Sequence, residues 1–367
     1  KRQDGNLFPE GFGMMEIHGL DSEMIDVASY TQRAFEDASK MALALNKKEL
    51  AQRYSKLADE LKEKINRAFW SEEFDSYADF IGTDRQALHL IDEAIVRADT
   101  LNKPWAVEEL KATRKTIEKN PSSLPKPFVV HHNWVVNTPM EMGIADPEKA
   151  AVALKTAEKF VNPFGVFVTG IDRDDSAGSD DGSFKGSKVF SYTGAVMTLP
   201  TGVQVVAENN YGRPDSALNY LERMARTFSY ALPGSMYEVS PDYGMITQAW
   251  NIYSFAVPIV QQFFGIQPDA AQKQIRIRPR MPEKWGEASL EEVQVAENKI
   301  SVHYLNTETE IHIKVKQSSP GWKLIIEPPV IEDAETKVLQ GTLQGSDQEQ
   351  IIVATGAEAE VKLVKNK

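Results

Sequence analysis

The chain has 367 residues, 26% of them charged and 42% apolar, with a formal net charge of −12. That length holds two domains and a large core; the acidic balance argues against a nucleic-acid partner, and against a polyanionic substrate unless a local basic groove intervenes. No apolar run is long enough for a membrane helix, and the lack of cysteine excludes disulfides and thiolate-ligated zinc and suits a periplasmic or extracellular bacterial protein.

In chain order, a glycine-rich loop over residues 4–19 leads into a predicted helix over residues 25–45. Ala28, Ala34, Ala38, Ala42 and Ala44 supply small side chains there for close helix contact. Leu50, Tyr54, Leu57, Leu61 and Ile65 recur at helical spacing on a second helix. The short Asn46-Lys47-Lys48 link makes these two an antiparallel hairpin. Residues 70–79 read as a small turn or β-hairpin. Helices over residues 85–98 and 106–118 form another pair, split by Pro104. Pro147 suits the first turn of a helix over residues 147–160. Residues 192–210 and 214–230 make a further pair, joined by Tyr211-Gly212-Arg213. An apolar helix over residues 245–264 closes the helical part.

Beyond Gly265 the period changes to two. Ile275-Arg276-Ile277, Ile300-Ser301-Val302-His303-Tyr304 and Ile311-His312-Ile313-Lys314-Val315 alternate between apolar and polar residues. Three further short strands follow near residues 324, 352 and 363. Alternating segments between turn signals indicate an antiparallel β-sandwich. The expected organisation is therefore a helical domain over residues 1–268 and a β-sandwich over residues 269–367.

The most informative segment is Leu232-Pro233-Gly234-Ser235-Met236-Tyr237-Glu238-Val239-Ser240-Pro241-Asp242-Tyr243-Gly244, which runs on to Gln248-Ala249-Trp250. A carboxylate, Glu238, stands in a loop among glycine, proline and aromatic rings. Such loops are commonly placed for binding or chemistry. Rings stack on the C–H faces of a sugar while its hydroxyls need acceptors. Taken alone, Glu238 would read as a helix cap or a surface group.

This segment resembles the closing part of the six-hairpin glycosidases, the (α/α)6-toroid hydrolases that include bacterial α-L-rhamnosidases and the glucosidase part of glycogen-debranching enzymes. In that group a Pro-Gly-x-x-x-Glu-x-x-Pro loop followed by Gln-Ala-Trp on a helix carries the general base. The matching residue here is Glu238, with Tyr237, Gln248 and Trp250 beside it as substrate-binding candidates. The resemblance implies a mainly α chain, with an (α/α)6 toroid of helical hairpins followed by the β-sandwich. It also implies a glycoside hydrolase that acts on an oligosaccharide or polysaccharide by paired carboxylates with inversion. α-Glucoside and α-rhamnoside are the leading substrate classes. No cofactor or metal is called for.

Six hairpins need about twelve helices, and roughly eight or nine are legible. The toroid is thus expected to be incomplete, with preceding sequence of the same protein or a partner chain supplying the rest.

The glycine-rich opening is similar to the six-hairpin element in which such a loop leads to Val-Glu-Ile and a long helix. By position Glu16, in Met15-Glu16-Ile17-His18, matches the sugar-facing glutamate. Glu10 and Asp4 are further acid candidates, and His18 a binding one. The family's Trp-x-Asp is absent here, so the acid could also precede Lys1. Alternatively, Glu16 and His18 satisfy backbone groups within the loop.

His131-His132-Asn133-Trp134 is a third cluster. By resemblance it lies at the inner mouth of the toroid, with Trp134 as a stacking platform and His132 and Asn133 as partners for hydroxyls. Core packing explains Trp134 equally well. Two adjacent histidines do not make a metal site, because their side chains diverge. Glu141 and Glu208 could each face the interior. The acidic run of residues 172–182 departs from EF-hand spacing and reads as a solvated loop.

Two rivals remain open. A polysaccharide lyase on a similar toroid would use His132, Asn133 and Tyr237. A sugar-binding protein without catalysis would lack a second carboxylate facing Glu238.

Overall fold

In the computed structural model, residues 5–14, 20–174, 192–345 and 349–365 are described. The chain divides into two compact units, residues 1–211 with 219–254 and residues 212–218 with 255–367.

The first unit begins with two short strands, β1 (Glu10–Gly11) and β2 (Ser22–Met24), and the first helical hairpin, α1 (Ile25–Ala44) and α2 (Lys48–Ala68). Asn46 adopts φ 56° in the link, a left-handed conformation that asparagine tolerates. Ala28 and Ala42 on α1 and Ala51 and Ala58 on α2 are buried, and Leu61 and Ile65 are fully so. Each of the two large side chains contributes about 1.5–3 kcal/mol by leaving water. The Ser39 hydroxyl donates to the Ala51 carbonyl at 2.9 Å, and Phe35 stacks on Tyr54.

A tight hairpin, β3 (Trp70–Ser71) and β4 (Ser76–Tyr77), precedes β5 (Phe80–Gly82). The second helical pair is α3 (Asp84–Thr100) and α4 (Pro104–Lys119). Thr83 and Gln86 form a reciprocal capping box at the start of α3, and Pro104 occupies the first turn of α4. Next, β6 (Lys126–Phe128) completes an antiparallel sheet in the order β1-β2-β5-β6.

The helices α5 (Thr138–Glu141) and α6 (Pro147–Ala157) follow, then a three-stranded sheet of β7 (Val161–Asn162), β8 (Gly165–Phe167) and β9 (Val196–Met197). A 3-10 turn over Tyr192–Gly194 precedes β9, and α7 (Thr198–Asn210) continues from it. Residues 192–197 were expected to be helical. Pairing explains the difference: Val196 and Met197 are drawn into β9 against Phe167 and Val166 of β8. A Cβ on Gly194 would lie 2.3 Å from the Asp172 carbonyl oxygen, so only glycine permits that close approach. The helices α8 (Pro214–Ala225) and α9 (Ala249–Ala256) run across the division between the units. The last expected helix starts at Ala249 rather than near 245 and ends in a π-helical stretch, Val257–Phe263, with Pro258 near its start. Proline removes a backbone donor and disturbs the α ladder.

The second unit contains β10 (Ile266–Asp269), β11 (Gln274–Ile277), β12 (Glu287–Val295), β13 (Asn298–Asn306), β14 (Glu310–Gln317), β15 (Lys323–Ile326), β16 (Ala334–Gln340), β17 (Thr342–Gln344), β18 (Ile351–Ala354) and β19 (Glu358–Lys365). They form two five-stranded sheets, ordered β10-β11-β15-β18-β17 and β12-β13-β14-β19-β16. Inward residues of both sheets, among them Ile275, Leu324 and Ile352 from one and Val302, Ile313 and Val361 from the other, share one core. The alternation read from the sequence is the burial pattern observed along β13 and β14.

The expectation of a mainly α chain built on an (α/α)6 toroid with a purely antiparallel sandwich is overturned. Among the described residues helix accounts for 42% and strand for 26%, in several separate sheets. Among the described residues nothing forms a closed toroid. Between α4 and α7 the regular hairpins lapse. There α5 has four residues, and β-branched and aromatic residues such as Val166-Phe167 form strands instead. In the C-terminal sheets β11 and β15 pair in parallel.

Candidate active site

Glu238 sits in a loop pinned on both sides by buried neighbours, Met236 and Val239. Val239 bridges to Met197 on β9 and to Tyr243. The Thr198 amide donates to the Glu238 carbonyl at 3.1 Å, and the Ser240 amide to the Val196 carbonyl at 3.0 Å. The loop backbone is therefore docked along β9 and the first turn of α7. Asn251 on α9 donates to the Met236 carbonyl at 3.0 Å and accepts from Thr198 Oγ1 at 2.5 Å. The Ser240–Pro241 peptide is cis.

Among the described residues, the half-buried Glu238 carboxylate has two donors. Tyr192 Oη donates to Oε1 at 3.3 Å, and the Met245 amide donates to Oε2 at 3.4 Å. The Glu238 amide in turn donates to the Met245 carbonyl at 2.8 Å. Gly244 adopts φ 83°, and a Cβ there would come 3.0 Å from Oε2. A glycine is thus needed for both conformation and clearance. Tyr230, Leu232, Tyr243, Met245 and Ile246 are exposed on the flanking segments. A carboxylate held by two donors beside exposed rings is placed to act on water or to bind a hydroxyl.

Tyr237 is half-buried next to Glu238. Gln248 lies just before α9, where its carbonyl accepts from the Asn251 amide at 3.1 Å. The Trp250 carbonyl accepts from Ser254 Oγ at 2.8 Å. Its indole nitrogen is buried without a hydrogen-bond partner among the described residues.

The His131–Trp134 cluster is built around Asp79. This fully buried carboxylate accepts the amides of Val130 at 2.8 Å, His131 at 2.7 Å and Asn133 at 3.1 Å. Burial pushes its pKa up to about 6, although those amides favour the charged form. His132 adopts φ 46°, stacks on Phe160 at 4.7 Å and meets the edge of Phe74. Burial lowers its pKa to about 4. His131 is also buried, its pKa pushed down to about 3 by desolvation and then by the Arg97 charge. Asn133 accepts from the Val135 amide at 3.1 Å and donates to Thr169 Oγ1 at 3.2 Å. Trp134 is only 5% exposed. His132, Asn133 and Trp134 share the lining of one recess with about 20 Å³ of free volume. That is room for a single water and not for a sugar ring.

Glu10 lies on β1, paired in register with Glu23 on β2. Asp4, Glu16 and His18 lie outside the described residues, as does most of the acidic run at 172–182. The loop before Glu16 is anchored by Asp26 of α1, whose Oδ2 accepts the Met14 amide at 2.6 Å. Desolvation raises the Asp26 pKa. Glu141 is buried between tyrosines, accepting from Tyr30 Oη at 2.8 Å and from Tyr253 Oη. Burial raises its pKa, against the lowering effect of both hydroxyls. Glu208 is buried on α7 and accepts from Gln204 at 2.9 Å. Among the described residues, the side-chain hydrogen bonds of Glu238 go to Tyr192 and Met245, not to Glu10, His132 or Asn133. The structure thus brings together His132, Asn133 and Trp134, and separately Glu238 with its loop.

Sequence reading missed Tyr192, Thr198 and Asn251 as supports of the Glu238 loop. Tyr192 and Glu238 are 46 residues apart, and no local pattern links such positions. Among the described residues no group of three or more histidine, aspartate or glutamate side chains is arranged to hold a metal ion.

No protein-family model matches this chain, and no curated protein matches it. Solved structures do. A sialidase superposes with a TM-score of 0.54 at 14% identity, covering 80% of this chain and 24% of the sialidase. An α-L-rhamnosidase from Dictyoglumus thermophilum gives 0.49 at 13% identity, covering 92% of this chain and 32% of that one. A Streptomyces avermitilis α-L-rhamnosidase complexed with L-rhamnose gives 0.41 at 12% identity, covering 86% and 31%. The chain spans between 24% and 32% of the length of these structures. The rhamnosidase superpositions are too loose to carry an argument. At such low identity the sialidase likeness is one of fold alone. These neighbours are glycoside hydrolases, and the fold is glycoside-hydrolase-like.

Proposed function

We propose that this chain carries the general-base region of a glycoside hydrolase, with Glu238 as the base. The observation that supports this most directly is the carboxylate itself. It is half-buried, held by Tyr192 and the Met245 amide, and flanked by exposed aromatic and apolar side chains. Two donors fix its orientation, as a group that activates water must be fixed. The glycoside-hydrolase-like fold agrees with this assignment.

Hydrolysis also needs a protonated carboxyl to serve the leaving oxygen. Glu16 and Glu10, the latter on β1, are the proposed sources. Inversion requires the two carboxyls about 6.5–9.5 Å apart, leaving room for the attacking water. An α-glucoside or α-rhamnoside is the proposed substrate class, on the strength of the Pro-Gly-x-x-x-Glu-x-x-Pro and Gln-Ala-Trp resemblance.

The test is Glu238→Gln in the protein that carries this chain. The substitution keeps volume and hydrogen bonding but removes the basic carboxylate. Turnover of aryl α-glucosides and aryl α-rhamnosides should fall by at least about 10²-fold, with binding of the sugar retained. Turnover within a few-fold of the parent would refute the assignment.

A further inference from the structure

The structure assigns Asp172 as a positioning residue for Glu238, acting through Thr193 and Tyr192. This rests on the reading of Glu238 as the base.

Asp172 is fully buried. Its Oδ2 accepts from Arg97 Nη2 at 2.6 Å and from Thr193 Oγ1 at 2.8 Å. Its backbone carbonyl accepts from Lys103 Nζ, and Lys103 is 1% exposed. Both cations come from the α3–α4 corner: Arg97 stands in the last turn of α3, and Lys103 immediately precedes α4. Two cationic side chains from a helical hairpin thus converge on one loop residue. Arg97 is partly exposed while the Asp172 side chain is wholly buried, so breaking the pair would strand a desolvated carboxylate.

The loop is drawn in on its other side as well. The Asp174 amide donates to the Gly194 carbonyl at 3.1 Å. A Cβ on Gly194 would fall 2.3 Å from the Asp172 carbonyl oxygen and 2.7 Å from Lys103 Nζ, so the backbone at 194 lies against the knot. Thr193 is therefore held by its side chain, and the residue after it by close backbone packing. Tyr192 is the next residue back in the same 3-10 turn. Its hydroxyl reaches Glu238 Oε1 at 3.3 Å.

The connected path is Arg97, Asp172, Thr193, Tyr192, Glu238. Catalytic groups need placement to within about 0.5 Å, supplied by neighbours whose own rotamers are locked. Tyr192 sits on a short turn, which by itself is a loose support. The Asp172 knot makes that turn rigid, so Tyr192 presents its hydroxyl to one carboxylate oxygen and leaves the other toward the Met245 amide. Asp172 is fully buried; its effect is on the orientation of the base.

The decisive variants are Thr193→Val and Thr193→Ser, which spare the Arg97–Asp172 ion pair, with Glu238→Gln and Tyr192→Phe alongside. Aryl α-glucosides and aryl α-rhamnosides are the probes, in the protein that carries this chain. Thr193→Val and Tyr192→Phe should each lower kcat about 10-fold with KM changed less than about 2-fold and the melting temperature unchanged. Thr193→Ser, which keeps the hydroxyl, should stay within about 2-fold of the parent. A crystal structure of Thr193→Val should show Glu238 Oε1 out of hydrogen-bond reach of Tyr192, a readout that needs no turnover. Parental kcat in Thr193→Val, failure of the serine variant to restore it, or an unmoved Tyr192–Glu238 contact would overturn the positioning role. If Glu238→Gln itself retains turnover, the base assignment falls, and the positioning role falls with it. If only Thr193→Val is without effect, the base assignment stands and the positioning role alone is lost.

Discussion

Replacing His131 with phenylalanine should make the protein more resistant to acid. His131 is buried, and neither ring nitrogen has a hydrogen-bond partner among the described residues. Burial and the nearby Arg97 charge push its pKa from 6.5 to about 3. The folded chain therefore refuses a proton that the unfolded chain accepts below pH 6.5. Its contribution leaves stability untouched above pH 6.5 and reduces it progressively from there down to about pH 3. At pH 5 about 1.5 pH units of that window have been crossed, a loss of about 2 kcal/mol at roughly 1.36 kcal/mol per unit.

Asp79, beneath the same turn, acts with the opposite sign. Its pKa is raised from 3.8 to about 6, so the penalty for burying its charge is relieved as pH falls through 6 toward 3.8. That term is common to parent and variant and cancels in their difference. Since the ring nitrogens bond nothing that phenylalanine would strand, His131→Phe should cost less than about 1.5 kcal/mol at pH 7.5. Urea unfolding followed by tryptophan fluorescence at pH 7.5 and pH 5 measures both quantities. The variant should lose about 2 kcal/mol less than the parent between the two conditions. Equal acid sensitivity would show that His131 is solvated or paired when folded, and the reasoning would be wrong.

Thr83→Ala should lower stability by about 1 kcal/mol by deleting the capping box of α3, read as a shift in urea midpoint with unchanged slope; a loss under about 0.3 kcal/mol would mean that α3 is held by packing alone. Incubation with uronate polymers should produce no ultraviolet-absorbing unsaturated product, because the proposed base activates water rather than abstracting a proton beside a carboxylate; appearance of that absorbance would favour a lyase.

Several features of this protein follow from the sequence by itself, and they are the local ones. The α1–α2 hairpin is legible because Ala28, Ala42 and the Leu61–Ile65 repeat mark its buried face; Ala34 and Ala44, also expected at the helix contact, are exposed instead. The strands β13 and β14 are legible because alternation over eight or nine residues admits one pleated register. Glu238 stands out as a candidate through its loop and the family resemblance that loop carries; its role as base is a proposal. The Thr83–Gln86 capping box was also present in the sequence as Thr-Asp-Arg-Gln, but the predicted start of that helix overlooked it.

Tertiary structure decided the rest, because the causes are distant in the chain. A count of helices says nothing about whether a ring closes, which depends on packing between helices far apart in sequence. Residues 192–197 form a 3-10 turn and strand, not a helix, because Val196 and Met197 pair with Phe167 and Val166 on β8, far earlier in the chain. Trp134 reads equally as a sugar platform or a core residue until Asp79, 55 positions earlier, draws the amides of Val130, His131 and Asn133 around itself and turns the indole inward. The donor that orients Glu238 comes from Tyr192, 46 residues away. Periodicity reports which face of an element is buried; it carries no information about which distant hydroxyl will meet a given carboxylate, since that choice is made by the packing of whole elements.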